Sequence, residues 1–383
     1  MLKVVLLGQG YVGSVFAVGL ERIKQKELKP YGVPLRDELP VAIEEVELVA
    51  SYDVDRSKVG KTVYEVAGRY FKGKVPEPLK NVRIFKGIHL GSLKNLPVEA
   101  EGLEDSMSLA DAVERMVCEL QELDADVIVN VCTTEAFKPM ESVDELVRCI
   151  EEDRRDRITA TQAYAYACAL YAERRRSAVF VNTIPTLIAN DPAFVELARA
   201  KNLVIFGDDG ATGATPLTAD ILAHLAQRNR YVKDVVQFNI GGNTDFLALT
   251  DVERNKSKEF TKSSVVSDIL GYSTQSYIKP TGYLESLGDK KFISMHIEYV
   301  TFNAEVDELI VNGRINDSPA LAGLIVDLVR LGKMAMDRGL KGTVYEVNAF
   351  YMKNPGPADR RNIPRIVAYE KLRRWANLPP MFG

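Results

Sequence analysis

Six short blocks in the second half of the chain hold most of the residues that could do chemistry: GDDGATGATPLT, QFNIGGNTDF, SKEFTKS, GDKKF, NDSPALAGLIVDL and YMKNP. They bring Asp209, Asn239, Asp245, Lys258, Lys262, Lys291, Asp317 and Lys353 into one ordered series. A simple hydride-transfer enzyme needs few amines. Several lysines around one ligand suit chemistry through oxyanions and a bound phosphate, because ammonium groups in a closed site stabilise negative oxygen and move protons when their pKa values are depressed.

Each residue also has a plainer reading. Lys258 and Lys262 are four apart on a predicted helix and share a face, as a solvated pair also would. Asp208 and Asp209 follow a strand, where open α/β sheets bind ligands, yet they could equally cap a helix start. Asn239 and Asp245 flank Gly241-Gly242-Asn243, which suits a tight turn. His89, His224 and His296 have no paired spacing and read as structural. Lys290 and Lys291 are adjacent, and spacing alone does not separate them.

The first half must position this series on a cofactor. Gly8, Gly10 and Gly13 form a G-x-G-x-x-G that follows an apolar strand at residues 2–7 and opens a helix running to about residue 27. Such glycines allow a tight turn, close approach of a pyrophosphate and close helix packing, and the helix N-terminus supplies an anion site. Residues 46–52 form the next strand, which ends at Asp53. A carboxylate there binds the ribose hydroxyls of NAD and repels the additional phosphate of NADP; Asp55 competes for this role, and either could cap the segment after Arg56. Residues 27–46, with Pro30, Pro34 and Pro40, read as a surface insertion. Further strands at 127–131, 178–181 and 203–206 alternate with helices at 108–123 and 159–172, which predicts a doubly wound α/β sheet. Residues 292–302 alternate apolar and polar, with residues 307–312 as an antiparallel neighbour. That makes a second, α+β unit suited to an oligomer interface. Residues 318–338 form an amphipathic helix expected to pack back on the first unit.

Composition narrows the classes. The 383 residues, 46% hydrophobic and 27% charged with net charge -4, describe a soluble chain of about two domains. No long basic block suggests nucleic acid; Arg174, Arg175 and Arg176 read as a solvated helix end. No apolar run approaches the roughly 18 residues of a membrane span, and the chain does not open like a signal peptide. Four cysteines without metal spacing suit reduced thiols in a cytosol.

The ordered blocks resemble inositol-3-phosphate synthase (myo-inositol-1-phosphate synthase) of the prokaryotic type. The resemblance runs from the glycine turn to Pro355. Its most specific parts are VNTIPTLIANDPAF at 181–194, GDD at Gly207, QFNIGGNTDF at Gln237, SKEFTKS at Ser257, DSPALAGLIVDLVRLGKMAMDRG at Asp317 and YMKNP at Tyr351. It departs from eukaryotic members in its shorter glycine turn and in NTIPT at Asn182–Thr186, where they carry SPQNT.

The resemblance implies a Rossmann-type NAD domain, residues 1–207 completed by 313–383, and a catalytic and tetramerisation domain, residues 208–312. It implies a cytoplasmic homotetramer that converts D-glucose 6-phosphate to 1D-myo-inositol 3-phosphate by internal oxidation, enolisation, aldol closure and reduction. The expected catalytic set is Lys258, Lys262, Lys291, Lys353, Asp209, Asn239 and Asp317. Lys258 and Lys353 are assigned to the redox and enolate steps, Lys262 and Lys291 to phosphate and cyclisation. The expected cofactor set is Gly8, Gly10, Tyr11, Val12, Gly13, Asp53, Thr133, Asp209 and Asp245. An assisting divalent or monovalent cation stays open. Two other readings compete: a plain NAD-dependent dehydrogenase of a sugar or semialdehyde, and an NAD-sensing protein without catalysis.

Overall fold

The computed structural model describes residues 1–381, except the side chains of residues 259–263. Its strands are β1 (Leu2–Leu7), β2 (Val46–Asp53), β3 (Arg83–Lys86), β4 (Val127–Asn130), β5 (Ala178–Asn182), β6 (Leu203–Phe206), β7 (Tyr231–Gly241), β8 (Gln275–Tyr283), β9 (Lys290–Val300), β10 (Val306–Asn316) and β11 (Gly342–Thr343). Seven form one parallel sheet in the order β11-β6-β5-β4-β1-β2-β3. The strand order reverses between β1 and β4, which opens a crevice at their carboxyl ends. β4, β5 and β6 are buried at every position, as continuous apolar runs covered on both faces should be.

The C-terminal stretch returns to this sheet. The helix Asp317–Asp337 lies on β4 and β5 so closely that a Cβ on Gly332 would stand 3.2 Å from Val179 and 3.4 Å from Val127. β11 then pairs with β6. The remaining strands form a four-stranded sheet, β10-β9-β7-β8, antiparallel except for β7 and β8. Its inner face is apolar: Val235, Met295 and Ile297 are fully buried against the helices Ala214–Gln227 and Val252–Leu270. On the outer face Phe238, Tyr277 and Ile310 are exposed.

Residues 27–46 are not a loose surface insertion. Val33, Leu35, Leu39 and Ile43 are buried in the main core. The segment is bolted to the helix Asp317–Asp337 by a fully buried ion pair, Asp327 with Arg330. Leu35 N donates to Asp327 Oδ2 at 2.8 Å, and Arg330 Nη1 donates to the carbonyls of Arg36 (2.6 Å) and Val41 (3.2 Å). The prolines mark bends in a packed segment, and the buried pair supplies partners for backbone groups that no sheet or helix satisfies. Tyr351 Oη donates to the same Asp327 Oδ2 at 2.8 Å, which links this segment to the YMKNP block.

Removing Arg330 would leave Asp327 charged and uncompensated in the core. Arg330→Ala is expected to cost about 3–5 kcal/mol of stability, measured as a lowered denaturant midpoint. A midpoint within error of the wild type would contradict the buried pair as the anchor.

Candidate active site

Two blocks 140 residues apart in sequence lie side by side. Asp208 N donates to Asn354 O and Asn354 N to Asp208 O, Lys353 N donates to Asp209 O, and Ala211 N donates to Tyr351 O, all within 2.7–3.1 Å. This ladder brings Lys353 Nζ to 2.7 Å from Asp209 Oδ1, both groups buried. Asp209 has φ 62°, and the paired backbone holds it in that left-handed conformation.

Asp208, directly before it, has a different task. Its carboxylate accepts from Asn182 Nδ2, from the amides of Ile188, Ala189 and Asn190, and from Asn190 Nδ2. Burial pushes its carboxyl up to about 6, against the pull of those donors. Through those five donors it holds the turn that contains NTIPT. Neither aspartate caps a helix: the next one begins at Ala214 with Gly213 at its cap.

The second arm comes from β9. Strand alternation turns Lys291 inward and Lys290 outward, which settles which of the neighbours enters the site. Lys291 Nζ lies 2.9 Å from Asp317 Oδ1, the same oxygen that accepts from Thr212 Oγ1 at 2.9 Å. Asp289 fixes the start of the helix Asp317–Asp337: it accepts from Ser318 N (3.0 Å), Ser318 Oγ (2.6 Å) and Asn243 Nδ2 (3.1 Å).

The third arm is the helix Val252–Leu270. Lys258 Nζ lies 3.3 Å from Asp245 Oδ2 and 3.7 Å from Asp209 Oδ1. Asp245 Oδ1 accepts from Thr134 Oγ1 at 2.6 Å, tying this arm to the loop after β4. The side chain of Lys262 lies outside the described residues. Asn239 is buried in β7, with its amide spent on Gln237 and Lys279, and borders the same cluster. Asn243 caps the short helix Thr244–Ala248, and Gly241 is the last residue of β7, so this stretch passes from strand to helix and is not a tight turn.

Three ammonium groups, Lys258, Lys291 and Lys353, thus face three carboxylates, Asp209, Asp245 and Asp317. Burial alone would raise the Asp317 carboxyl, but Lys291 and Lys353 hold it well below the usual range. Burial likewise raises Asp245, and Lys258 with the Thr134 hydroxyl brings it below normal. The lysines split. Burial lowers Lys258, but Asp209 and Asp245 outweigh it and raise its pKa above the ordinary value, so it is a fixed cation. Lys353 goes the other way: burial, joined by Lys258, lowers it despite Asp209. The depressed amine expected from sequence is Lys353 and not Lys258.

In this set each carboxylate gives an oxygen to a lysine. Among the described residues the one cluster of potential ligands is His89, Glu104 and Asp105, none of which lines the cavity described next. There His89 Nδ1 accepts from Gly91 N (2.9 Å), so neutral His89 carries its proton on Nε2, facing Asp105 at 3.0 Å. That leaves no lone pair for a metal.

A cavity of about 730 Å³ joins the cluster to the glycine turn. At one end are Gly8, Gly10, Tyr11 and Val12; at the other are Asp209, Lys258, Asp317 and Lys353, with Thr133 and Asp245 also on the wall. Gly8 has φ 104°, and a Cβ there would stand 3.0 Å from Val131 O; one on Gly13 would stand 2.8 Å from Gly8 O. Gly10 faces open space and caps the helix Tyr11–Lys24 without any side-chain bond or first-turn acid. Its free N-terminus suits a pyrophosphate. Asp53 ends β2 on the same wall, but Lys58 sits 3.2 Å from it. Sequence reasoning missed Lys58, Thr134 and Asp289; Asp289 stood inside the GDKKF block, and Lys58 stood three residues after Asp55.

The depressed Asp317 gives a pH test. A carboxylate with a lowered folded pKa stabilises the fold above its ordinary value of 3.8, and that stability is lost as pH falls through the folded value. Lys291→Met should raise that folded value, so acid unfolding followed by circular dichroism should begin at higher pH than in the wild type. An unchanged or lower midpoint would contradict the pairing.

The myo-inositol-1-phosphate synthase family model matches residues 213–318. The inositol-3-phosphate synthase of Mycobacterium tuberculosis is 31% identical over 327 residues, covering 82% of this chain and 80% of that protein. The crystal structure of a myo-inositol-1-phosphate synthase-related protein from Thermotoga maritima is 65% identical over the whole of both chains, with a TM-score of 0.95. The inositol-3-phosphate synthase of Caenorhabditis elegans, at 17% identity, shares the fold with a TM-score of 0.82, over 98% of this chain and 84% of that one. The chain belongs to the inositol-3-phosphate synthase family, a family of enzymes.

Proposed function

We propose that this protein converts D-glucose 6-phosphate to 1D-myo-inositol 3-phosphate, with NAD held in the cavity as a returned cofactor. The observation that carries this reading is the single cavity that joins an uncapped helix N-terminus at Gly10 to the cluster of Lys258, Lys291 and Lys353 with Asp209, Asp245 and Asp317. Residues 1–207 with 313–383 would then hold the cofactor, and residues 208–312 would supply most of the chemistry.

When bound, a nicotinamide would supply reversible hydride storage, accepting the hydride of carbon 5 and returning it at the end. The residues of the chain do the rest. Lys353, the amine whose pKa is lowered, receives the proton of the carbon-5 hydroxyl. The ketone at carbon 5 acidifies the carbon-6 protons, and carbon 6 attacks the aldehyde at carbon 1. Negative oxygen develops in both steps, and Lys258, held protonated by Asp209 and Asp245, stabilises it without itself losing a proton. Lys291, with Lys262, is assigned to the phosphate end and the cyclisation. Asp317 orients Lys291, and Asn239, at the border of the cluster, is assigned to orienting the substrate.

A plain dehydrogenase needs one proton acceptor and leaves the second and third ammonium groups without work. A sensing protein leaves all three so. Phe238, Tyr277 and Ile310, exposed on the outer face of the second sheet, suit a contact between copies of the chain, and the family resemblance makes the assembly a homotetramer. No helix among the described residues is long and apolar enough to cross a membrane; with four unpaired thiols, this supports a cytoplasmic location.

Purified protein given glucose 6-phosphate and NAD should yield inositol phosphate by NMR with no rising absorbance at the NADH band. NADH formed in step with an oxidised sugar would favour the dehydrogenase. In the same assay Lys258→Ala should lose about 10²–10³ in turnover while still binding NAD; near-normal turnover would remove the lysine from the chemistry.

A further inference from the structure

The cavity wall beyond the glycine turn carries a charge pattern that differs from a bare carboxylate at the end of β2. Both oxygens of Asp53 are already engaged. Oδ1 accepts from the amides of Val54 and Asp55, each at 2.8 Å. Oδ2 accepts from Gln9 N at 2.8 Å and from Lys58 Nζ at 3.2 Å. Lys58 Nζ is also 3.4 Å from Asp55 Oδ2, and its side chain is 15% exposed. An ammonium has three donors, so two such contacts leave one for a ligand oxygen.

A second cation stands beside the first. Arg69 is held on the same loop, with Nη1 donating to Ser57 Oγ (3.1 Å) and Nη2 to Ser57 O (2.7 Å). Asp53, Asp55, Lys58 and Arg69 all line this end of the cavity. Two carboxylates and two cations therefore line the same end of the cavity, and their formal charges balance. A carboxylate rejects a ribose 2′-phosphate by repulsion, and repulsion requires that its charge be uncompensated.

We propose that Lys58 is the residue that sets cofactor choice, and that with Arg69 it lets this site accept a 2′-phosphorylated nicotinamide dinucleotide alongside the unphosphorylated one. The inference rests on the dinucleotide reading given above. It replaces the expectation that Asp53 excludes NADP.

Calorimetric titration of the whole protein with NAD and with NADP, at one salt concentration, tests it. The wild type should bind the two within about tenfold of each other. Lys58→Gln uncovers Asp53 and Asp55, and should move the ratio toward NAD by about tenfold or more. Asp55→Asn removes one carboxylate and leaves the ammonium, and should move the ratio toward NADP. The opposite signs keep the test sound if one variant fails to fold. A wild type that rejects NADP by more than about a hundredfold, or variants that leave the ratio unmoved, would overturn the role of Lys58 while NAD binding stands. A wild type that binds neither dinucleotide would instead bring down the dinucleotide reading itself.

Discussion

Six opposite charges held out of water in one cavity are the constraint on which the rest of the molecule depends. Taking a carboxylate or an ammonium out of water costs several kcal/mol, and Lys353, Asp209 and Lys291 are each at least nine-tenths buried. The cost is offset only where partners stand within ion-pair distance. The pairs at 2.7, 2.9 and 3.3 Å meet that condition, and each joins separate segments of the chain. A shift of any one arm would leave an unpaired charge inside the protein.

The fold supplies that precision from several directions. The ladder between 208–211 and 351–354 fixes Lys353 against Asp209. Asp208 holds the turn beneath them. Asp289 clamps the start of the helix that bears Asp317, and Thr134 reaches across from β4 to Asp245. Farther back, Asp327 takes bonds from both Leu35 and Tyr351. The packed segment at 27–46 and the lysine-bearing block after Tyr351 thus share one buried acceptor. Site and scaffold are continuous here, since the groups that position the lysines also hold the C-terminal stretch on the parallel sheet.

Much of this was legible in sequence, for identifiable reasons. β1, β4, β5 and β6 are short continuous apolar runs, and such runs announce a sheet covered on both faces. The glycine spacing at Gly8–Gly13 showed where an anion could sit. The ordered blocks named the charged residues, and the described ones among them converge, except that Asn239 only borders the cluster. What stayed hidden depends on distance and orientation. The segment at 27–46 looked like surface because its partners, Asp327 and Arg330, lie about 290 positions away. The second aspartate of GDD reaches the cluster while the first is spent on a turn, and a dipeptide cannot show that division. Nor could sequence show that the pKa of Lys258 is raised and that of Lys353 lowered: among the described residues Lys258 has two carboxylates within 4 Å, Lys353 has one, and Lys258 itself adds to the burial that lowers Lys353.

That difference between two lysines is the centre of the account, and the pH dependence of turnover reads it directly. If Lys353 must be neutral to receive the hydroxyl proton, kcat should rise with pH, with a midpoint below the ordinary lysine value of 10.5. Asp209 is the neighbour that raises Lys353, so Asp209→Asn should move the midpoint of the remaining activity to still lower pH. A midpoint at or above 10.5 in the wild type, or a midpoint that stays or rises in Asp209→Asn, would contradict Lys353 as the proton acceptor.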